Sequence, residues 1–457
     1  MTPPATVNAG ARLDRLPISS FHRRIMWLIG VGMFFDGFDI YVAATVLGAT
    51  LRSGFSTMGQ NAQFVSVTFV GMMLGSFLTG FLGDRYGRRF TYQANLAIFG
   101  VASIAAAFAP SMTVLILLRF VMGVGLGAEN VVGYATMTEF VPPQARGKWL
   151  GTVSVFVVAG LPVTALLGTL IIPRFGWRFM FALGGIGALV VWQLRKALPE
   201  SPRWLESVGR GQEAETILQS IEEEVALHHA PLKAPALPSP AIQSRSLAVL
   251  LRPTLLPRMI VGATTLIVVN TLIFGFITWL PTFFVQSGRS IASSLMYSLV
   301  MSLGAPIGSA IGAWTADGWG RKPTILSASL LTIAIGSIYP FVSEPRTLML
   351  VGFLLTIPIY ILVTLLFAIY IPELFPTEVR MRASGICNTF GRGATILTPF
   401  IVVALFRSYR VGGVLAFMIA LLIVQIVVVL AFGVEPRKRR LEEIDVTLTS
   451  SERNTEA

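Results

Sequence analysis

Two aspartates three residues apart, Asp36 and Asp39, stand inside a long apolar run at 25–50. Three residues is just under one helical turn, so both carboxyls share a helix face. A second apolar run carries Arg119 and, ten residues on, Glu129, about 15 Å further along the same side of a helix. A third holds Arg392 in the middle of NTFGRGATILTP. An ionisable group within such a run costs roughly 2.5–3.5 kcal/mol on insertion scales, so each of these five needs a reason. Two neighbouring carboxyls in a low-dielectric site cannot comfortably both ionise, so at least one of Asp36 and Asp39 is expected to hold a proton. The plainer alternative is a hydrogen-bonded aspartate that helps helices pack. Glu129 reads as a second protonatable group or as the partner of a cation, and Arg119 as a buried working cation or as one that snorkels to water. Arg392 offers a carboxylate the fork of a guanidinium, which points to an anionic substrate or to an internal ion pair with Asp36, Asp39 or Glu129.

The elements that must position these groups are membrane helices. Apolar residues make up 54% of the 457 and charged residues 13%, about half the share usual in soluble domains. The excess is gathered into stretches of ~20 residues, the length that crosses about 30 Å of hydrocarbon. Spans are expected at 25–50, 62–83, 90–109, 112–137, 149–173 and 177–196, then at 257–286, 291–315, 323–342, 347–371, 382–406 and 411–433. Residues 1–22 are polar with no leader pattern, so the first span is expected to stay. Arg12, Arg15, Arg23, Arg24, Arg85, Arg88, Arg89, Arg146, Lys148, Arg321, Lys322, Arg380 and Arg382 share the side of residue 1; Arg52, Arg174, Arg178, Arg289, Arg346, Arg407 and Arg410 lie opposite. The positive-inside rule therefore puts both termini in the cytoplasm. The +12 net charge is then a set of topology signals facing anionic lipid rather than a nucleic-acid surface. One cysteine, Cys387, and three histidines in polar segments allow no disulfide framework, metal site or cofactor constellation. No GxxxxGK[ST] loop appears, and Gly123-x-Gly125-x-Gly127 lies inside a span with no strand before it, so neither ATP drive nor dinucleotide binding is expected.

The chain repeats itself. GDRYGRR at 83–89 returns as ADGWGRK at 316–322, with Asp84 and Asp317, and Arg88 and Arg321, 233 apart. EFVPPQAR at 139–146 returns as ELFPTEVR at 373–380, an offset of 234 for Glu139 and Glu373 and for Arg146 and Arg380. A six-helix unit has been duplicated. The expected organisation is a cytoplasmic segment at 1–24, a six-helix bundle at 25–196, a cytoplasmic linker at 197–255, a second bundle at 256–433 and a tail at 434–457. The linker carries a charged helical piece near 212–227 and a Pro-rich piece at 230–240.

GDRYGRR and its echo resemble the signature of the major facilitator superfamily, and PESPRWL (199–205), RFVMGVGLG (119–127) and PELFPTEVR (372–380) are similar to its sugar-porter-like branch. DGFD (36–39) resembles the first-helix motif of aromatic acid:proton symporters, and Gly127-Ala128-Glu129 resembles related organic-acid and niacin transporters. The resemblance implies an all-α membrane protein of twelve transmembrane helices in two six-helix bundles, working by alternating access around a central site. It implies no enzyme but a proton-coupled symporter of a small organic anion, an aromatic acid or other monocarboxylate, that works as a monomer in a bacterial inner membrane. Arg119 matches the family's substrate or charge-relay arginine. Asn270, Thr271, Trp279, Tyr370 and Asn388 can line the cavity. Asp84 with Arg85, Arg88 and Arg89, Asp317 with Arg321, and the pairs Glu139–Arg146 and Glu373–Arg380 are expected to form a cytoplasmic gate. The alternatives are a sugar or polyol porter, a drug/proton antiporter, and a membrane sensor, for which 197–255 is too short.

Overall fold

The computed structural model describes residues 7–227, 234, 250–375 and 380–435. All regular structure in them is helical, as hydrocarbon demands of a spanning backbone that must satisfy its own hydrogen bonds. Ahead of the first span comes α1 (Ala9–Asp14). The first half continues with α2 (Ser20–Arg52), α3 (Met58–Tyr86), α4 (Arg88–Ala107), α5 (Met112–Phe140), α6 (Pro143–Phe175) and α7 (Arg178–Leu194). Two short helices follow, α8 (Pro202–Ser207) and α9 (Gly211–Ala226). The second half comprises α10 (Leu256–Gly275), α11 (Leu280–Gln286), α12 (Ile291–Ser302), α13 (Gly304–Gly318), α14 (Arg321–Ile338), α15 (Pro345–Thr364), α16 (Ile371–Glu373) and α17 (Arg380–Phe432).

Ten stretches of the described residues are long and apolar enough to cross a membrane. One of them, Ala383–Phe432, has 50 residues. At 1.5 Å per residue that is about 75 Å, more than twice the hydrocarbon thickness. α17 accordingly breaks at Arg410 (φ 57°, ψ −154°) and supplies two spans. α7, with 17 residues, sits at the lower limit for a span and completes the twelve. Large apolar side chains such as Phe77, Val101, Leu117 and Leu397 face outward, which suits lipid and not water.

Small residues set the helix spacing. A Cβ at Gly75 would lie 2.0 Å from the Val124 carbonyl and one at Gly127 2.0 Å from that of Met72, so α3 and α5 touch backbone to backbone. The second half repeats the device, with Gly308 of α13 against the Ile357 carbonyl of α15 at 2.2 Å. Pro358 lies inside α15, and a π turn at Leu365–Tyr370 follows that helix.

The chain divides into two compact units. Unit 1 comprises Met1–Val42, Val67–Gly160 and Phe175–Ala241. Its α8 and α9 do more than tether the halves. Leu218, Ile221 and Val225 of α9 share a buried core with Ala9 and Leu13 of α1, Phe21 and Ile25 of α2 and Phe140 of α5. Salt bridges fasten the same contact: Arg12 to Glu215 (2.5 Å) and Glu222 (2.8 Å), Arg15 to Glu222 (2.6 Å), and Arg203 to Asp14 (2.6 Å). Unit 2 comprises Ala43–Ser66, Leu161–Arg174 and Ile242–Ala457. Within it, the end of α2 and the start of α3 pack on second-half helices. Arg52 donates to the Arg289 carbonyl (2.9 Å) and Ser66 to that of Ile396 (2.6 Å).

Candidate functional site

Three carboxyls and two guanidiniums meet in the buried centre of unit 1. Arg119 on α5 reaches α2, where Nη1 pairs with the Asp39 carboxylate and Nη2 donates to the Asp39 backbone oxygen (2.9 Å). Its Nε donates to Thr68 Oγ1 of α3 (3.0 Å), so one guanidinium ties three helices. Arg119 does not snorkel; it is 1% exposed. A buried pair of this kind is retained only with good geometry and further hydrogen bonds, which the carbonyl and the threonine supply.

A second pair lies nearer the start of α2. Arg195, just past the end of α7, bonds Glu129 of α5 through Nη1. Its Nε and Nη2 donate to the carbonyls of Leu28 and Ile29, each at 2.9 Å, and its Cζ stands 4.6 Å from the Tyr92 ring centroid on α4. The helix must leave room for it. A Cβ at position 32 would lie 1.9 Å from Arg195 Nη2, so only glycine fits there.

Asp36 lies between the pairs and belongs to neither. It is 1% exposed, and neither carboxylate oxygen has a hydrogen-bond partner among the described residues. Its electrostatic neighbours are Glu129, Arg195, Asp39, Tyr92 and Tyr134. The two aspartates thus share a helix face but not an environment. With every group ionised, three carboxylates face two cations, and the site is one proton short of neutrality. A buried carboxylate without a partner pays its full desolvation cost, which a proton removes. Asp39 and Glu129 both take their counter-ions, Arg119 and Arg195, from their own half of the chain. Arg392 is half-buried midway through the first span of α17.

Among the residues expected to line a cavity, Asn270 is buried, with Nδ2 on the Leu266 carbonyl (2.7 Å) and against Gly391. Thr271 meets Thr398 (3.4 Å), and Asn388 bonds the Ser384 carbonyl (2.9 Å). Trp279 is buried, stacked on Phe283, with an indole N–H that has no partner among the described residues. Tyr370 spends its hydroxyl on the Val434 carbonyl (3.1 Å), holding the end of the last helix.

At the expected gate, Arg88 Nε bonds Glu139 (3.1 Å) and Arg321 grips Glu373 through Nε and Nη2 (2.8 and 2.9 Å). Each loop arginine therefore reaches the end of the helix two spans on. Arg85 is exposed beside the Tyr86 ring, and Arg89 donates to the Lys196 carbonyl (2.8 Å). The side chains of Asp84, Arg146, Asp317 and Arg380 lie outside the described residues. Two glutamates not named from the sequence meet the same loops. Glu200 accepts from the amides of Arg88 (3.0 Å) and Arg89 (3.2 Å), and Glu435 from those of Arg321 (3.0 Å) and Lys322 (2.7 Å). The sequence signal was present: they are 235 apart, close to the offset of the other repeated residues.

Twelve spans with a buried charge cluster inside one half define a polytopic membrane protein, and the comparisons make it a carrier rather than an enzyme. The profile described as Sugar (and other) transporter matches residues 25–448. The chain is 38% identical to the inner membrane metabolite transport protein YdjE of Escherichia coli (strain K12), over 95% of this chain and 98% of that protein. It is 29% identical to the niacin transporter NiaP of Acinetobacter baylyi, over 95% and 99%. In fold it is similar to the xylose transporter XylE from E. coli in a partially occluded inward-open conformation, with TM-score 0.72 and 17% identity over 92% of this chain and 100% of that one. The chain belongs to the sugar (and other) transporter family of the major facilitator superfamily, and it is a multi-pass membrane transporter with the major facilitator fold.

Proposed function

We propose that this transporter is a proton-coupled symporter of a small organic anion, an aromatic acid or another monocarboxylate, and that Asp36 is the carboxyl that loads and releases the proton. The observation that carries this reading is the buried Asp36 carboxyl without a hydrogen-bond partner, set between two carboxylates that each hold an arginine. Arg392, intramembrane and always charged, is the group that meets the substrate carboxylate. The relative named as a niacin transporter supports the anion reading. The halves at 25–196 and 256–433 rock about the site, with both termini cytoplasmic, and the chain works as a monomer. In unit 2 the packed ends of α2 and α3 lie on the side opposite residue 1 in that topology, which fits a state closed at the outer face.

The test is uptake into proteoliposomes holding the full chain, with radiolabelled benzoate, nicotinate and xylose as probes. An inward proton gradient should drive uptake of benzoate or nicotinate, a protonophore should collapse it, and Asp36→Asn should remove the gradient dependence. Gradient-driven uptake of xylose alone would establish the sugar-porter reading, which a 25%-identical arabinose-proton symporter of Bacillus subtilis favours. Uptake indifferent to the gradient would end the proton claim.

A further inference from the structure

Arg195 is not needed where it is as a topology signal. A cationic side chain at the cytoplasmic end of a span gains most by turning outward to water and headgroups. Its neighbour Lys196 does so: it is exposed and lies over Trp192 at 4.0 Å. Arg195 instead turns inward, 1% exposed, and α2 carries a glycine at 32 so that it fits. Three of its five N–H groups are used, on Glu129, Leu28 and Ile29, and two have no acceptor among the described residues.

Around it the acceptors are unevenly served. Glu129 gives Arg195 one oxygen and keeps the other, Oε2, without a partner among the described residues. Both oxygens of Asp36 are in the same condition. The titratable and charged groups that face Asp36 are Asp39 on α2, Glu129 and Tyr134 on α5, Tyr92 on α4 and Arg195 after α7. Asp39 is held by Arg119, which also serves Thr68, and the tyrosines carry no charge to give. Arg195 is thus the cation placed to answer a charge on Asp36.

We propose that Arg195 is the shared counter-ion of the proton site: it bonds Glu129 alone while Asp36 holds the proton, and bridges Glu129 and Asp36 once the proton leaves. In that step the Asp36 O–H bond breaks, the proton passes to water, the electron pair stays on the carboxylate, and an unused N–H of Arg195 closes on it. Arg195 is a positioning residue here, because it acts through Asp36. The inference rests on Asp36 being the proton carrier.

The test needs no substrate, only protons. The carboxyl C=O stretch of the purified full chain in lipid is titrated by difference infrared spectroscopy, and Asp36→Asn identifies the Asp36 band. Removing the shared cation leaves two carboxylates facing each other, so Arg195→Gln should move the Asp36 midpoint alkaline by about one pH unit or more. Glu129→Gln frees Arg195 for Asp36 and should move it acid by a similar amount. The double variant should return toward the parent, and Arg195→Lys, which keeps the charge, should stay near it. A merely structural arginine would leave the midpoint in place on Arg195→Gln, and Glu129→Gln would then move it acid only by removing a like charge, equally with and without Arg195. Should Arg195→Gln alone fail to fold, the double variant, which removes both partners of the buried pair, still decides: its midpoint should lie alkaline of that in Glu129→Gln. A band that is present but the same with and without Arg195 overturns the counter-ion role alone; no Asp36 band at all overturns the proton reading with it.

Discussion

Glu435 stands to α14 as Glu200 stands to α4. Each carboxylate accepts two amides at the start of a helix that follows a glycine of positive φ, Gly87 at 94° and Gly320 at 106°. Each thereby supplies the acceptor that the helix N-terminus lacks and a negative charge at the positive end of its dipole. Because the two carboxylates do the same work, Glu200→Ala and Glu435→Ala should each lower stability by about 1 kcal/mol, as lost N-caps do. Thermal unfolding in detergent reads this. A chain shortened just before Glu435 should behave like Glu435→Ala; full stability in that truncation would show that the capping at α14 is idle.

The cap of α1 on α9 gives a pH prediction. The hydrogen bond from Arg12 holds the Glu215 carboxyl below its ordinary range. Burial pushes Glu222 up, but hydrogen bonds from Arg12 and Arg15 outweigh it and leave that carboxyl low as well. Carboxyls held low in the folded state contribute stability above their unfolded pKa and lose it as pH falls through the folded value. The protection of the Gly211–Ala226 amides, measured against the intrinsic exchange rate at each pH, should therefore stay constant from pH 8 to about 5 and fall only below about pH 4, under the usual carboxylate range. Arg12→Glu should lower it at neutral pH.

Breaking the Asp39–Arg119 pair from one side should cost more than removing both partners. Asp39→Asn leaves a buried guanidinium uncompensated, which typically costs about 3–5 kcal/mol. Asp39→Asn with Arg119→Gln leaves no charge, so its melting temperature should lie above that of either single variant. Additive losses would mean that the two groups do not act as a pair.

Some of this was legible in the sequence and some was not. Hydrocarbon imposes one length and one composition, so the spans show in the letters; even the break inside Ala383–Phe432 is required by thickness. Asp36, Asp39, Arg119 and Glu129 stood out because each interrupts an apolar run. Arg195 did not, because arginines at the end of a span are ordinary, and only the structure shows that this one turns inward over Gly32. Pairing was likewise invisible. Sequence proximity suggested Asp84 or Arg146 as partners, whereas the packing of α3 on α5 brings Arg88 to Glu139 and that of α13 on α15 brings Arg321 to Glu373. The helical piece expected near 212–227 is α9, but its docking did not show in the letters, because its apolar stripe finds its partners in α1 and α2.

Gly32→Ala isolates the fit of Arg195 from its charge. Alanine is the better helix former by about 1 kcal/mol, so on propensity alone the change should stabilise α2. The new methyl would lie 1.9 Å from Arg195 Nη2, where no Cβ can remain, so Arg195 must move. The Asp36 band should then shift alkaline, as in Arg195→Gln. A band unmoved, with a raised melting temperature, would show that the arginine relaxes without consequence.

Arg392 tests the substrate class. Its span also carries Asn388 about one turn before it, and Asn270 lies against the neighbouring Gly391. If it meets a substrate carboxylate, Arg392→Lys keeps the charge but loses the two-pronged geometry, and binding of benzoate or nicotinate should weaken measurably. Arg392→Ala leaves the substrate charge unpaired in a low-dielectric site and should lose several kcal/mol, enough to abolish binding at millimolar probe. Because Asp39 and Glu129 already hold Arg119 and Arg195, adding Asp39→Asn or Glu129→Gln to Arg392→Ala should restore nothing. Binding and uptake are measured for the single and double variants together with their melting curves, and that of Arg392→Ala should show the fold intact. Rescue by either double variant would make Arg392 an internal counter-ion after all. Undiminished xylose uptake in Arg392→Ala, with no anion uptake in the parent, would remove the anionic substrate altogether.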